Sequence, residues 1–203
     1  MPPDPAPKHF TMIRSFHLAD LFTIANGGAG VAAVFQAMRF LIDADAARLA
    51  FAGAMVLLAG VLDLLDGRIA RWRHTNSPLG RELDSLADVI SFGVAPAAIG
   101  FAAGLRTLAD EAVLIYFTVC GISRLARYNI TAEQLAGAAG KVAYFEGTPI
   151  PTSIVPLAIV LVAFDFGWLL PVELLGVKLH LVSLLFALSG SLMISKTIRI
   201  PKP

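Results

Sequence analysis

Residues 63–88 of this chain read DLLDGRIARWRHTNSPLGRELDSLAD and carry two pairs of aspartates, one on each side of a short polar turn. Asp63 and Asp66 are three residues apart, and Asp84 and Asp88 are four apart, so each pair lies on one face of a helix. The Pro and Gly between the pairs indicate a turn. We therefore expect two antiparallel neighbouring helices whose acidic pairs lie at a similar depth and face each other.

Four converging carboxylates form an oxygen-rich site of the kind that hard divalent cations prefer. Mg²⁺ and Mn²⁺ suit such ligands, whereas Zn²⁺ more often takes His and Cys. The chain has 1 Cys, which excludes a Cys-based zinc site and a disulfide framework. The spacing therefore predicts a site for Mg²⁺ or Mn²⁺.

Apolar sequence surrounds this acidic region. Of the 203 residues, 57% are hydrophobic and 15% are charged, against roughly 45–50% and 25% in an average soluble domain. The mean hydropathy is +0.73. Six windows approach the ~20 apolar residues of a bilayer-spanning helix: 18–41, 46–71, 83–105, 111–127, 149–166 and 177–195. They predict an all-α polytopic membrane protein with six transmembrane helices. A soluble helical bundle is disfavoured because the apolar runs leave no polar face of useful width.

The chain divides into two regions. Residues 1–17 form a Pro-rich arm, and its last part places Phe10 and Ile13 on one helical face. This pattern predicts a short helix lying in the membrane interface, with a frayed lead-in to the first span as the alternative. Residues 18–203 form a single transmembrane domain without an internal repeat.

Lysine and arginine positions predict the orientation. The chain has 16 such residues, and most lie in the N-terminal arm, the connections after the second and fourth spans, and the C-terminal tail. Short cytoplasmic loops carry an excess of these residues, so both termini and the acidic turn should face the cytoplasm. A net charge of +1 argues against a nucleic-acid partner.

Aspartates inside apolar sequence carry a large energetic cost. Each costs about 2.5–3.5 kcal/mol at the centre of a spanning helix, so four of them indicate cation binding, pairing or proton transfer. A cation-coupled transporter is one alternative. Transporters often show paired inverted repeats, and none is evident in this sequence.

Small and basic residues accompany the aspartates. Gly67, Ala70 and Gly80 would let a bulky ligand approach the backbone, although close helix packing is the alternative. Arg71 and Arg81 lie at the same end of the hairpin and suit a phosphate or pyrophosphate. The alternative for these arginines is topology or binding of membrane-lipid headgroups.

Eight residues of this region form a pattern with fixed gaps. They are Asp63, Asp66, Gly67, Ala70, Arg71, Gly80, Asp84 and Asp88. The pattern resembles the full signature of the CDP-alcohol phosphatidyltransferase family. Segments 21–27, 84–96, 124–129 and 145–151 are similar to the phosphatidylserine synthase branch of that family.

The resemblance implies a fold and a reaction. It implies six transmembrane helices, usually in a homodimer, and displacement of CMP from a CDP-linked lipid by an alcohol. In the phosphatidylserine synthase branch the lipid is CDP-diacylglycerol and the alcohol is L-serine. Inositol phosphate or glycerol phosphate as acceptor is the alternative within the family.

The resemblance also implies residue roles. Two divalent cations would bind Asp63, Asp66 and Asp84, and Asp88 would be the general base while also touching a metal. Contacts to the CDP-lipid are expected from Thr23, Asn26, Asp63, Gly67, Ala70, Arg71, Gly80 and Arg81.

The contacts to serine are expected further along the chain. Arg124 and Arg127 are candidates for the serine carboxylate, because both can face one pocket. Their alternative role is again topology or lipid headgroups. Ser91, Asn129 and Glu146 are candidate helpers, and His180 is expected at the membrane interface.

Overall fold

The computed structural model describes residues 18–73, 78–137, 144–174, 176–197 and 199–201. The predicted interfacial helix within residues 1–17 and the polar turn at 74–77 lie outside the described residues. Within the described ranges the chain forms seven α-helices: α1 (Leu18–Asp43), α2 (Ala46–Arg73), α3 (Pro78–Asp88), α4 (Ala95–Ala103), α5 (Leu108–Gly137), α6 (Ile154–Asp165) and α7 (Leu184–Ile194).

Short elements connect these helices. A π-helical turn (Val89–Val94) joins α3 to α4, and 3₁₀ turns (Ile150–Ser153 and Leu181–Ser183) precede α6 and α7. Strand β1 (Tyr144–Glu146) pairs antiparallel with β4 (Arg199–Pro201), and Tyr144 is opposite Pro201. Strand β2 (Pro171–Leu174) pairs antiparallel with β3 (Val177–His180), and Pro171 is opposite His180.

Three helical segments are long and apolar enough to cross a membrane: Ala19–Asp43, Ala46–Ile69 and Leu79–Ala103. They correspond to the first three windows of the sequence, and two shorter apolar helices cover Ile150–Asp165 and Leu181–Ile194. The predicted helical membrane protein is thereby confirmed at the level of its class. That the chain has six transmembrane helices stays a prediction.

Two boundaries differ most from the sequence prediction. The fourth window was expected to end at residue 127, but α5 continues to Gly137, so Arg124 and Arg127 lie well within the helix and not at its end. The sixth window was expected to be helical from residue 177, but Val177–His180 is a strand. The reason is a tight hairpin at Gly176, whose φ of 80° lies in the left-handed region that glycine adopts easily.

Helix α1 packs along α2 and also contacts α3, the π-helical turn and α4. Its buried face carries the small side chains of Ala29, Ala33 and Ala37, which let neighbouring helices approach closely. At Gly30 the approach is closest, because a Cβ there would lie 2.5 Å from Ser91 Oγ and 2.8 Å from Ser91 Cα. Close steric contact at Gly30 therefore fixes the position of α1 against the π-helical turn.

The β2–β3 hairpin is tied to the start of α5. His180 is buried within the protein, and its expected place at the membrane interface stays a prediction. Its backbone amide donates to Asp110 Oδ1 at 3.0 Å, and its Nδ1 lies 2.6 Å from Asp110 Oδ2. Thr107 Oγ1 also donates to Asp110 Oδ2 at 2.7 Å. Sequence position alone gave no signal for this long-range pair.

Replacing Gly30 by alanine should destabilise the protein, because the new methyl group would overlap the backbone of Ser91. Overpacking of this kind costs about 1–3 kcal/mol, so the thermal midpoint of purified G30A in detergent should fall. Gly28 is the matched control on the same helix, since nothing lies within 4 Å of a Cβ there. G28A should unfold at or above the wild-type temperature, and equal losses in both variants would contradict the account.

Candidate active site

Carboxylates from two helices meet at one end of the bundle. Asp63 and Asp66 are near the end of α2, and Asp84 is on α3. One carboxylate oxygen from each of these three residues lies within 4.8 Å of the others. The expected convergence of the two acidic segments is thus present in the structure for these three side chains.

Asp88 lies on the same face of α3, one turn further along. It is 7% exposed, and its Oδ1 accepts a hydrogen bond of 3.4 Å from Asn26 Nδ2. Asp88 interacts electrostatically with Asp63 and Asp84. It is therefore part of the acidic cluster while lying outside the group of three whose oxygens are closest together.

Helix α1 supplies neutral hydrogen-bond donors to this cluster. Thr23 Oγ1 donates to Asp66 Oδ2 at 2.9 Å, and Asn26 binds Asp88 as described above. The backbone carbonyl of Asn26 accepts a hydrogen bond of 2.9 Å from Ser91 Oγ. Ser91 is fully buried. Through this hydrogen bond its hydroxyl connects the π-helical turn to α1.

Two arginines on α5 have different surroundings. Arg124 is 8% exposed, interacts electrostatically with Asp88 and Asp63, and lies over the ring of Tyr128. Arg127 donates from Nη1 to the carbonyl of Ile194, at the end of α7, at 3.1 Å. Of the two, Arg124 is therefore the one whose described contacts lie at the acidic cluster.

A polar contact joins α5 to α3 beside the aspartates. Asn129 Nδ2 donates to Ser85 Oγ at 2.9 Å. Ser85 was not singled out from the sequence, although it lies three residues before Asp88 on the same stripe of α3. Asp20 was also missed: it is 4% exposed and interacts electrostatically with Asp66. Its position three residues before Thr23 was the available signal.

The remaining predicted residues lie at the same end of the bundle or outside the described side chains. Gly67 and Gly80 are partly buried near the facing ends of α2 and α3. Arg81 is also partly buried. The side chains of Ala70, Arg71 and Glu146 lie outside the part of the chain whose side chains are described.

Several buried polar atoms here have no hydrogen-bond partner in the described structure. Those on residues of the cluster and its surroundings are Asn26 Oδ1, Arg81 Nε, Asp84 Oδ1, Arg124 Nε and Asn129 Oδ1. Buried polar groups are nearly always hydrogen-bonded in folded proteins. Acceptors and donors concentrated in this way fit a polar, charged ligand, and the three close carboxylates with the free Asp84 oxygen fit a divalent cation.

A family model described as CDP-alcohol phosphatidyltransferase matches residues 16–189, which include the acidic cluster and its donors on α1. This chain belongs to the CDP-alcohol phosphatidyltransferase family. The apolar helices and this membership together make it an integral membrane protein.

Several relatives of this chain are named CDP-diacylglycerol–serine O-phosphatidyltransferase. The chain is 43% identical to the relative from Saccharomyces cerevisiae over 209 residues, which covers 96% of this chain and 74% of the relative. It is 40% identical to the relative from Mycobacterium leprae over 57% of this chain and 40% of the relative. The relative from Bacillus subtilis is 35% identical over 52% of this chain and 56% of that protein.

The family signature coincides with the site described above. Its positions fall on the last turns of α2 and on α3, and its carboxylates are those that the structure brings together. Members of this family depend on divalent cations, which agrees with the donor set of Asp63, Asp66 and Asp84.

Proposed function

We propose that this chain transfers the phosphatidyl group of CDP-diacylglycerol to the hydroxyl group of L-serine, giving phosphatidylserine and CMP. The observation that carries the proposal is the 43% identity over 96% of the chain to a CDP-diacylglycerol–serine O-phosphatidyltransferase. The carboxylate cluster supplies chemistry that fits this reaction, because phosphoryl transfer relies on positioning and on neutralising phosphate charge.

Asp63, Asp66 and Asp84 would hold two Mg²⁺ or Mn²⁺ ions together with Asp88. When bound, the ions would neutralise the diphosphate and the departing CMP. The carboxylates carry like charges that repel one another in apolar surroundings. Arg124 interacts electrostatically with two of them, Asp63 and Asp88. The cluster is therefore better satisfied with cations than without them.

Asp88 would act as the general base. The serine oxygen attacks the phosphorus that bears diacylglycerol, the bond from that phosphorus to the CMP oxygen breaks, and the hydroxyl proton passes to Asp88. Burial of this carboxylate at 7% exposure keeps bulk water away from the proton transfer. The hydrogen bond from Asn26 holds one carboxylate oxygen and leaves the other for the substrate.

The diphosphate would lie along the facing ends of α2 and α3. Gly67, Ala70 and Gly80 would let it approach the backbone closely, and Arg71 and Arg81 would donate to its oxygens. Arg81 Nε is buried and has no partner in the described structure, which supports a ligand there.

Serine would bind between α3 and α5. Arg124 would bind its carboxylate, since the Nε atom is buried and has no partner among the described residues. Asn129 Oδ1 is also buried without a partner in the part of the chain that the structure describes, and it would accept a hydrogen from the ammonium group. Ser91 donates to the backbone carbonyl of Asn26, and Arg127 donates to that of Ile194. Both residues would therefore stabilise the walls of the serine pocket. Glu146 stays a candidate from the sequence alone.

The arrangement in the membrane is part of the proposal. We propose six spans within residues 18–203, an N-terminal arm at 1–17, and a homodimer. The uneven distribution of lysine and arginine supports termini and an active site that face the cytoplasm.

The acceptor can be tested directly. Purified protein with CDP-diacylglycerol and Mn²⁺ or Mg²⁺ should release CMP and form phosphatidylserine in equal amounts only when L-serine is present. A chelator should abolish both products. Product with glycerol phosphate or inositol phosphate but none with serine would overturn the acceptor, and no product with any alcohol would overturn the transferase.

Replacing Asp88 by asparagine should abolish turnover, because the amide cannot take the serine proton. Removing an acid–base group typically costs about 10²–10⁴-fold in rate. Binding of CDP-diacylglycerol, measured by calorimetry in micelles, should stay within a few-fold of wild type. Asp165 is an exposed aspartate on α6 and gives the matched control D165N, which should retain activity. Normal turnover in D88N would refute its role as base.

Replacing Arg124 by glutamine should weaken serine binding while leaving the CDP-lipid unaffected. The KM for serine should rise at least tenfold, which corresponds to about 1.4 kcal/mol, with the KM for CDP-diacylglycerol within twofold. R124K should give an intermediate KM because an ammonium group lacks the two-pronged geometry of guanidinium. The exposed Arg39 provides the control R39Q. An unchanged serine KM in R124Q would contradict the assignment.

A further inference from the structure

We infer that Thr23 and Asn26 are positioning residues that hold the carboxylates of Asp66 and Asp88, and that the Thr23 hydroxyl does not bind the diphosphate. The inference rests on the proposed function, because it assigns those carboxylates to cation binding and proton transfer. It replaces the expectation from the sequence that the Thr23 hydroxyl binds the CDP group.

The Thr23 hydroxyl is already used by protein atoms. Its Oγ1 lies 2.9 Å from Asp66 Oδ2 and 3.2 Å from the carbonyl oxygen of Ala19, and the residue is 4% exposed. A hydroxyl has one hydrogen, and both neighbours can only accept it. The lone pairs that remain on Oγ1 would repel a phosphate oxygen, so this hydroxyl is unsuited to bind a diphosphate.

Asn26 is fully buried, and its side-chain Nδ2 donates to Asp88 Oδ1 at 3.4 Å. Its backbone carbonyl accepts from Ser91 Oγ at 2.9 Å, while the side-chain Oδ1 has no partner among the described residues. Both contacts are to α3 or to the π-helical turn that follows it. The amide therefore fixes the direction of the Asp88 carboxylate from the side of α1.

The two donors lie one turn apart on a single rigid helix. Thr23 and Asn26 are three residues apart and share a face of α1, whereas Asp66 and Asp88 belong to different helices. One helix thus sets the separation between a cation ligand and the proposed base. Gly30 fixes the position of α1 relative to the π-helical turn, because its lack of a side chain allows close contact with Ser91.

Partners that orient a metal ligand matter for affinity. Loss of such a partner typically costs about 10–100-fold in metal affinity or activity. A nucleotide contact would have a different effect: it would change the affinity for CDP-diacylglycerol and leave cation binding to the lipid-free protein unaltered. The two roles can therefore be separated experimentally.

The first experiment measures Mn²⁺ binding by electron paramagnetic resonance in purified full-length protein without lipid substrate. T23V, which removes the hydroxyl and keeps the shape, should weaken Mn²⁺ binding about 10–100-fold. T23S, which keeps the hydroxyl, should bind within threefold of wild type. T118V is the matched control, because Thr118 Oγ1 also donates to a carbonyl one turn earlier, that of Leu114 at 3.0 Å, and its other described contact is the Gly93 carbonyl and not an aspartate.

The outcomes distinguish this inference from the proposed function. Weakened Mn²⁺ binding in T23V, with T23S and T118V normal, supports the positioning role. Wild-type Mn²⁺ affinity in T23V together with a raised KM for CDP-diacylglycerol would show a nucleotide contact and overturn the inference alone. Absence of Mn²⁺ binding in the wild type would overturn the proposed metal site and the inference with it.

The second experiment applies the same logic to Asn26. N26L keeps the size of the side chain and removes its donor, so kcat should fall at least tenfold while the KM for CDP-diacylglycerol stays within twofold. N26A provides a smaller substitution if N26L does not fold, and the same division between kcat and KM is expected. A raised KM with an unchanged kcat in either variant would overturn the role of Asn26.

Discussion

Mutual repulsion among four carboxylates in apolar surroundings is the constraint on which the rest of this structure depends. Charges inside a membrane protein need partners, because hydrocarbon offers no solvation. Asp63, Asp66, Asp84 and Asp88 obtain them from three directions: donors on α1, the guanidinium of Arg124 on α5, and the cations that the cluster is suited to hold. The helices must therefore pack so that all three sources reach the same place.

Helix α1 meets this requirement through small residues. Its alanine face and Gly30 permit close contact with α2 and with the π-helical turn after α3. Short π-helical segments are frequent at functional sites because they alter the direction of neighbouring side chains. Here the turn begins directly after Asp88 and carries Ser91, whose hydroxyl binds α1. Fold and site are thus joined at one contact between α1 and this turn.

Spacing within the sequence was sufficient for the features that depend on one helix or on a local hairpin. The i, i+3 and i, i+4 intervals placed the aspartates on facing surfaces, and apolar windows located the first three long helices. Features that depend on contacts between residues far apart in the sequence could not be predicted from spacing. The His180–Asp110 pair, the contact of Arg127 with Ile194 and the role of Ser85 all join residues more than 40 positions apart. The strand at Val177–His180 was missed because it directly precedes the apolar run of Leu181–Ile194, whose pattern is that of a helix.

The most direct test of the account is the location of Mn²⁺ in crystals of the protein, determined from anomalous scattering at the manganese edge. The account predicts two peaks among the carboxylates of Asp63, Asp66, Asp84 and Asp88, at oxygen distances of about 2.0–2.3 Å. Crystals of active protein that bind Mn²⁺ elsewhere, or show no peak at these four residues, would contradict it.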